Sequence, residues 1–107
     1  MNGLHLIGDL SGCRCAPQLL LDGASMRERC LALVNDAGLT VMDANFHQFD
    51  GGGYTGIVLL AESHLALHTW PEKQGLTLDV YVCNYSADNS AKARKLFEAL
   101  IALFEPQ

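Results

Sequence analysis

The chain has 107 residues, half of them apolar, and a formal net charge of −5. That length makes one domain with a modest core. The apolar share excludes a disordered chain, and the acidic balance excludes a basic nucleic-acid surface. No apolar run reaches membrane-spanning length. The amino terminus lacks the basic and apolar regions of a signal peptide, so the cytoplasm is the expected compartment. The four cysteines, Cys13, Cys15, Cys30 and Cys83, have no zinc-ribbon spacing, and no metal is expected from them.

Residues 2–10 alternate Leu4, Leu6, Gly8 and Leu10 against His5, Ile7 and Asp9 and read as a strand. Residues 11–24 are rich in Gly, Cys and Pro and read as a loop with a short turn at 18–21. Ser25 and Glu28 fit a capping box, and Met26, Cys30, Leu33, Val34 and Ala37 share one helical face up to Gly38. A second strand is expected over 39–47, a turn at Asp50-Gly51-Gly52-Gly53, and a third strand over 56–62, which 65–70 continues or follows. After a turn at 71–75, Leu76, Leu78, Val80 and Val82 alternate with Thr77, Asp79, Tyr81 and Cys83 in a further strand. Ser86, Asp88 and Asn89 are candidate N-caps for an amphipathic helix over 91–104. The order β-α-β-β-β-α predicts an α+β domain, a two-layer α/β sandwich with an antiparallel sheet and two helices on one face. The second sheet face then needs a partner, which points to a homodimer.

The chemistry concentrates in Ala61-Glu62-Ser63-His64-Leu65-Ala66-Leu67-His68-Thr69-Trp70-Pro71-Glu72. In a strand, His64, Ala66, His68 and Trp70 share one face. A hydroxyl nucleophile and two imidazoles, either able to act as a base near neutral pH, fall within one strand. Taken singly, these residues also have ordinary readings. Ser63 can be a strand serine, Cys83 a buried thiol, Phe49 a core ring and Glu72 a solvated turn residue.

The segment Glu62-Ser63-His64 to His68-Thr69-Trp70-Pro71-Glu72 resembles the self-cleavage segment of the short prokaryotic S-adenosylmethionine decarboxylase proenzymes. His5-Leu6-Ile7-Gly8-Asp9-Leu10-Ser11-Gly12-Cys13 is similar to that family's amino-terminal strand, Phe46-His47-Gln48-Phe49 to its Phe-His-x-Phe segment, and Asp79-Val80-Tyr81-Val82-Cys83 to its cysteine strand. The resemblance implies cleavage of residues 1–107 between Glu62 and Ser63 into a β chain, 1–62, and an α chain, 63–107. Ser63 would attack the Glu62 carbonyl. The resulting ester would undergo β-elimination, and Ser63 would end as a covalent pyruvoyl cofactor. It further implies His68 as the base, Cys83 as the proton donor in decarboxylation, and Thr55 in place of a serine that assists processing. Phe49 would stack on adenine, Glu72 would bind the ribose hydroxyls and Asp9 would lie near the substrate's charged end. The mature protein would be a homodimer that decarboxylates S-adenosylmethionine to the aminopropyl donor for spermidine, with no nucleic-acid or membrane partner.

Three departures bear on the substrate. The family's Pro and Gly-Val-Ser-Gly turn is Gly51-Gly52-Gly53-Tyr54-Thr55-Gly56 here, Gly12 replaces an acidic residue of some members, and the sequence stops at Gln107 where the family usually adds a strand. Relatives that decarboxylate L-ornithine or L-arginine, giving putrescine or agmatine, are therefore an alternative, with Asp50 as the carboxylate for the distal cation. An unprocessed, inactive regulatory paralogue is a third reading. His5 and His47 receive no role.

Overall fold

The computed structural model describes residues 2–85 and 87–107, so the N-cap candidate Ser86 lies outside the described residues. The elements are β1 (Gly3–Leu10), α1 (Gln18–Leu21), α2 (Gly23–Asp36), β2 (Val41–Gln48), β3 (Tyr54–Leu60), β4 (His64–Trp70), a 3-10 turn (Pro71–Lys73), β5 (Gly75–Cys83) and α3 (Ser90–Phe104). The strands form one sheet in the order β1-β5-β4-β3-β2, with every neighbouring pair antiparallel. Helix α2 packs on β2 and β3, and α3 on β1 and β5. This is the expected α+β sandwich, with one more strand and one more short helix than the sequence pattern separates.

Strand alternation explains why both long helices lie on one side. Leu65 and Leu67 of β4, Leu76, Leu78, Val80 and Val82 of β5, and Val58 and Leu60 of β3 are all buried. They meet Met26, Cys30 and Val34 of α2 and Leu96, Leu100 and Phe104 of α3, which are buried at helical spacing. Gly56 stands opposite Phe46 in the β2–β3 register, and a Cβ there would run into the Phe46 ring. The glycine therefore lets an aromatic side chain lie flat on the neighbouring strand. Helix α1 is fastened to this layer by two buried hydroxyls. Tyr54 Oη donates to the Leu19 carbonyl at 2.6 Å, and Thr69 Oγ1 donates to the Leu20 carbonyl at 2.8 Å while accepting from the Tyr54 amide.

One local expectation is corrected and two are sharpened. Helix α2 begins earlier than Ser25, because the Asp22 carboxylate accepts from the Ala24 and Ser25 amides and is its N-cap. Residues 65–70 belong to a separate strand, because the chain reverses sharply at Ala61-Glu62. The glycine turn is closed by hydrogen bonds. Gly51, Gly52 and Gly53 all have positive φ, a conformation that glycine adopts without strain. The Gln48 amide donates to the Leu21 and Gly53 carbonyls and accepts from the Gly23 amide, so one side chain ties the turn to α1 and α2.

The opposite sheet face has no helix on it among the described residues. Ile7 is 71% exposed there, Leu59 45% and Trp70 42%. Apolar side chains left in water across several strands mark a surface that gains by being covered.

Two outcomes follow from this packing. Gln48→Ala should lower unfolding free energy by about 1–3 kcal/mol in denaturant titrations, because it strips partners from three backbone groups. Burial pushes the Cys30 thiol up to about 12 and the Tyr54 phenol well above its usual range. The folded state then holds protons that the unfolded chain releases above about pH 9, so stability falls as pH rises beyond that point. Thermal melts at pH 8 and pH 10 check the sign, and native Cys30 should resist thiol alkylation at pH 8.

Candidate active site

The uncovered face is best described as rows of residues paired across the strands. One row runs Asp9, Thr77, His68, Thr55, His47 across β1, β5, β4, β3 and β2. The next runs Ile7, Asp79, Ala66, Ile57, Asn45, and the one after it His5, Tyr81, His64, Leu59, Asp43. Beyond these, Gly3 pairs with Cys83. The side-chain period of two puts every member of these rows on the same side of the sheet.

At the Cys83 end lies the bond expected to break. Leu60 and Ser63 close a two-residue hairpin between β3 and β4. The Leu60 amide donates to the Ser63 carbonyl at 2.9 Å, and the Ser63 amide approaches the Leu60 carbonyl at 3.5 Å. Ala61 and Glu62 occupy its corners, and the Ala61 amide is held by the Thr40 carbonyl. The Glu62–Ser63 peptide therefore lies at the turn, at the end of the regular ladder. Glu62 Oε2 is buried without a hydrogen-bond partner among the described residues. A cavity of about 210 Å³ adjoins the turn, bounded by Thr40, Glu62, Ser63, Asn89 and Lys92. Extending the β4–β5 register by two residues brings Glu62 level with Cys83, itself 5% exposed. Asn89 Nδ2 donates to the Cys83 carbonyl, and the Asn89 amide donates in turn to Asn84 Oδ1. The start of α3 thus fixes the end of β5.

At the other end, Thr55 Oγ1 and His68 Nδ1 share a 2.9 Å hydrogen bond across a directly paired position of β3 and β4. With Nδ1 engaged, proton exchange with a reacting group falls to Nε2. The Trp70 ring lies 6.2 Å from His68, and His47 and Phe49 stack edge-on at 4.9 Å. Phe49 is half-exposed. Glu72 is exposed on the turn that follows β4 and borders a cavity of about 410 Å³ with Cys13, Cys15, Leu21, Gly52 and Pro71. That volume falls within the range of small-molecule sites. Burial raises the Cys13 and Cys15 thiols above their usual range, so neither behaves as an activated thiolate.

The expected residues thus divide into two groups. Glu62, Ser63 and Cys83 stand at one end of the sheet. Asp9, Thr55, His68, Phe49 and Glu72 stand toward the other. Ser63 and His68 are five residues apart along one chain direction, roughly 16 Å at the rise of a strand. His64 adjoins Ser63 in the chain, and its Nε2 is bound to Asp79 Oδ1 at 2.8 Å. Sequence reasoning missed the roles of Gln48 and Asp79. The polar position of Asp79 among apolar β5 residues was the signal available for the second.

The family described as S-adenosylmethionine decarboxylase matches residues 4–107. The chain is 35% identical over 97 residues to the S-adenosylmethionine decarboxylase proenzyme of Thermodesulfovibrio yellowstonii, covering 91% of this chain and 70% of that protein. It is 34% identical over 105 residues to the proenzyme of the same name from Archaeoglobus fulgidus, covering 98% of this chain and 88% of that protein. The crystal structure of the adenosylmethionine decarboxylase from Aquifex aeolicus superposes with a TM-score of 0.85 at 34% identity, over 98% of this chain and 82% of that one. The family match takes in all five strands and both long helices, and with it the hairpin at Glu62-Ser63: this chain belongs to the S-adenosylmethionine decarboxylase family.

Proposed function

We propose that the chain is a proenzyme that cleaves itself between Glu62 and Ser63 and then decarboxylates S-adenosylmethionine in the cytoplasm, as a homodimer with shared sites. The observation that carries this reading is the tight hairpin at Leu60–Ser63, which presents a Glu-Ser peptide at a turn in a chain of this family. The names of the relatives favour S-adenosylmethionine over L-ornithine or L-arginine.

The residues fit a pyruvoyl group made from Ser63. A serine hydroxyl follows a carbonyl at a tight turn, and Cys83 sits at the same level of the sheet. Once formed, the group supplies a carbonyl that acts as an electron sink for decarboxylation. Cys83 is the proton donor to the product carbon, Phe49 a stacking face, Glu72 a carboxylate for vicinal hydroxyls, and Asp9 a counter-charge for the substrate's cationic end. Thr55 orients His68 for processing.

Two groups of residues at opposite ends of one sheet cannot act on one substrate within a single copy. A two-fold axis through the uncovered faces turns the Ser63–Cys83 end of one copy toward the Thr55–His68 end of the other. The exposed Ile7, Ile57, Leu59 and Trp70 side chains support the same contact, since they gain by burial.

Intact-mass measurement should find a fragment ending at Glu62 and a second one blocked at its amino terminus, while Ser63→Ala should give only full-length, folded chain. Prolonged incubation of folded wild-type protein without cleavage would contradict self-processing. Carbon dioxide release should be highest with S-adenosylmethionine among the three candidate substrates. Glu72→Gln should weaken its use roughly ten- to hundredfold by removing a charge-assisted contact. Neither Cys83→Ala nor Glu72→Gln dimers should be fully active, but co-expression of the two should restore about a quarter of wild-type activity. Half of randomly paired dimers are mixed, and each holds one intact shared site. No restoration would place the whole site in one chain.

A further inference from the structure

His5, His64 and Asp79 take no part in the reaction described above, and they come from three different strands. His5 of β1 and His64 of β4 both pair with Tyr81 of the intervening β5, so the three rings lie in one row on the uncovered face. The Tyr81 ring is 5.7 Å from His5, edge-on, and 5.9 Å from His64. The two imidazoles also meet edge-on, with ring centroids 6.1 Å apart. Asp79 lies two residues earlier on β5, on the same face, and its Oδ1 receives both. His64 Nε2 is at 2.8 Å and His5 Nε2 at 3.6 Å. The three ligand atoms lie within 4.8 Å of one another. In the single protomer the side chains are 44%, 35% and 33% exposed for His5, His64 and Asp79, so an ion can reach them before a second copy covers this face.

We propose that His5, His64 and Asp79 form a binding site for one divalent first-row transition metal of the zinc class per protomer. Two imidazoles and one carboxylate suit zinc and its neighbours and do not suit magnesium or calcium, which take oxygen donors. Bond lengths of about 2.1 Å set neighbouring ligand atoms about 3.4 Å apart in a tetrahedron. The two distances to Asp79 Oδ1 straddle that value, so small rotations of the imidazoles reach it. Three protein ligands leave a fourth position on the face away from the helices, turned toward the second copy in the proposed dimer. An ion here would tie β1, β5 and β4 together beside the end of the sheet that carries Ser63. The ligands are scattered over 75 residues of chain, so no spacing motif announces them.

Zinc competition against a chromophoric chelator, on the purified full chain at neutral pH, tests the site. We expect one ion per protomer with a micromolar or tighter dissociation constant. His5→Ala and Asp79→Asn should each weaken binding at least tenfold, and Cys15→Ser should leave it unchanged. Absence of binding would overturn the proposal, as would binding that survives His5→Ala but is lost in Cys15→Ser. Should a variant fail to fold, cobalt(II) titration of the wild-type chain decides. Paramagnetic shifts should appear first at His5, His64 and Asp79, and shifts centred on Cys13 and Cys15 would refute the assignment.

Discussion

Everything in this molecule depends on a sheet that buries only one of its faces. With two long helices, the chain covers the Leu and Val positions of β3, β4 and β5 on one side and leaves the alternate positions without helical cover. Those alternate positions carry the polar chemistry: Asp9, Thr55, His64, His68, Thr77 and Asp79, interleaved with Ile7, Ile57 and Leu59. The hydrophobic face holds the strands in a fixed register, and that register arranges the polar side chains in rows. Slipping β4 by one residue would bury both histidines among leucines and expose Leu65 and Leu67. The core therefore guarantees the geometry of the face that it does not contain.

The same constraint places the Glu62–Ser63 peptide. A peptide within a central strand is hydrogen-bonded on both sides and held flat by its neighbours. The hairpin joining β3 to β4 puts this peptide at the last rung of that ladder and keeps its flanks anchored, through Leu60 paired with Ser63 and Ala61 bonded to Thr40. Rigid flanks around this turn suit the proposed intramolecular attack, whose reacting atoms must be held close without help from a bound substrate. The buried Glu62 Oε2, which has no hydrogen-bond partner among the described residues, lies at the same turn.

The far end of the sheet is built differently. There the glycine turn folds back onto α1 and α2 through Gln48, and Tyr54 and Thr69 fix α1 to the sheet. Substituting glycine for proline in such a turn increases the freedom of the unfolded chain. In the folded chain the three positive φ values and the Gln48 contacts define one path. Phe49 opens this turn, and its amide donates to the Gly53 carbonyl, so the same path holds it.

The sequence by itself determined the class of fold, the strands with clean alternation and the terminal helix, because period-two and period-3.6 patterns are local consequences of burial. It also determined which residues form the Glu-Ser-His segment, because their chemistry is written in adjacent positions. It did not separate β4 from β3, because the reversal at Ala61-Glu62 uses no glycine or proline. It also missed Asp22 as the cap of α2, since Ser25 and Glu28 form an equally good local pattern. What only the tertiary structure decided was distance. Ser63 and His68 look like neighbours in sequence and stand at different ends of a strand, while His5, His64 and Asp79 are remote in sequence and meet on one face. The reason is that strand pairing is a long-range interaction: it sets which residues share a row only after β5 has returned between β1 and β4, and no local preference encodes that return.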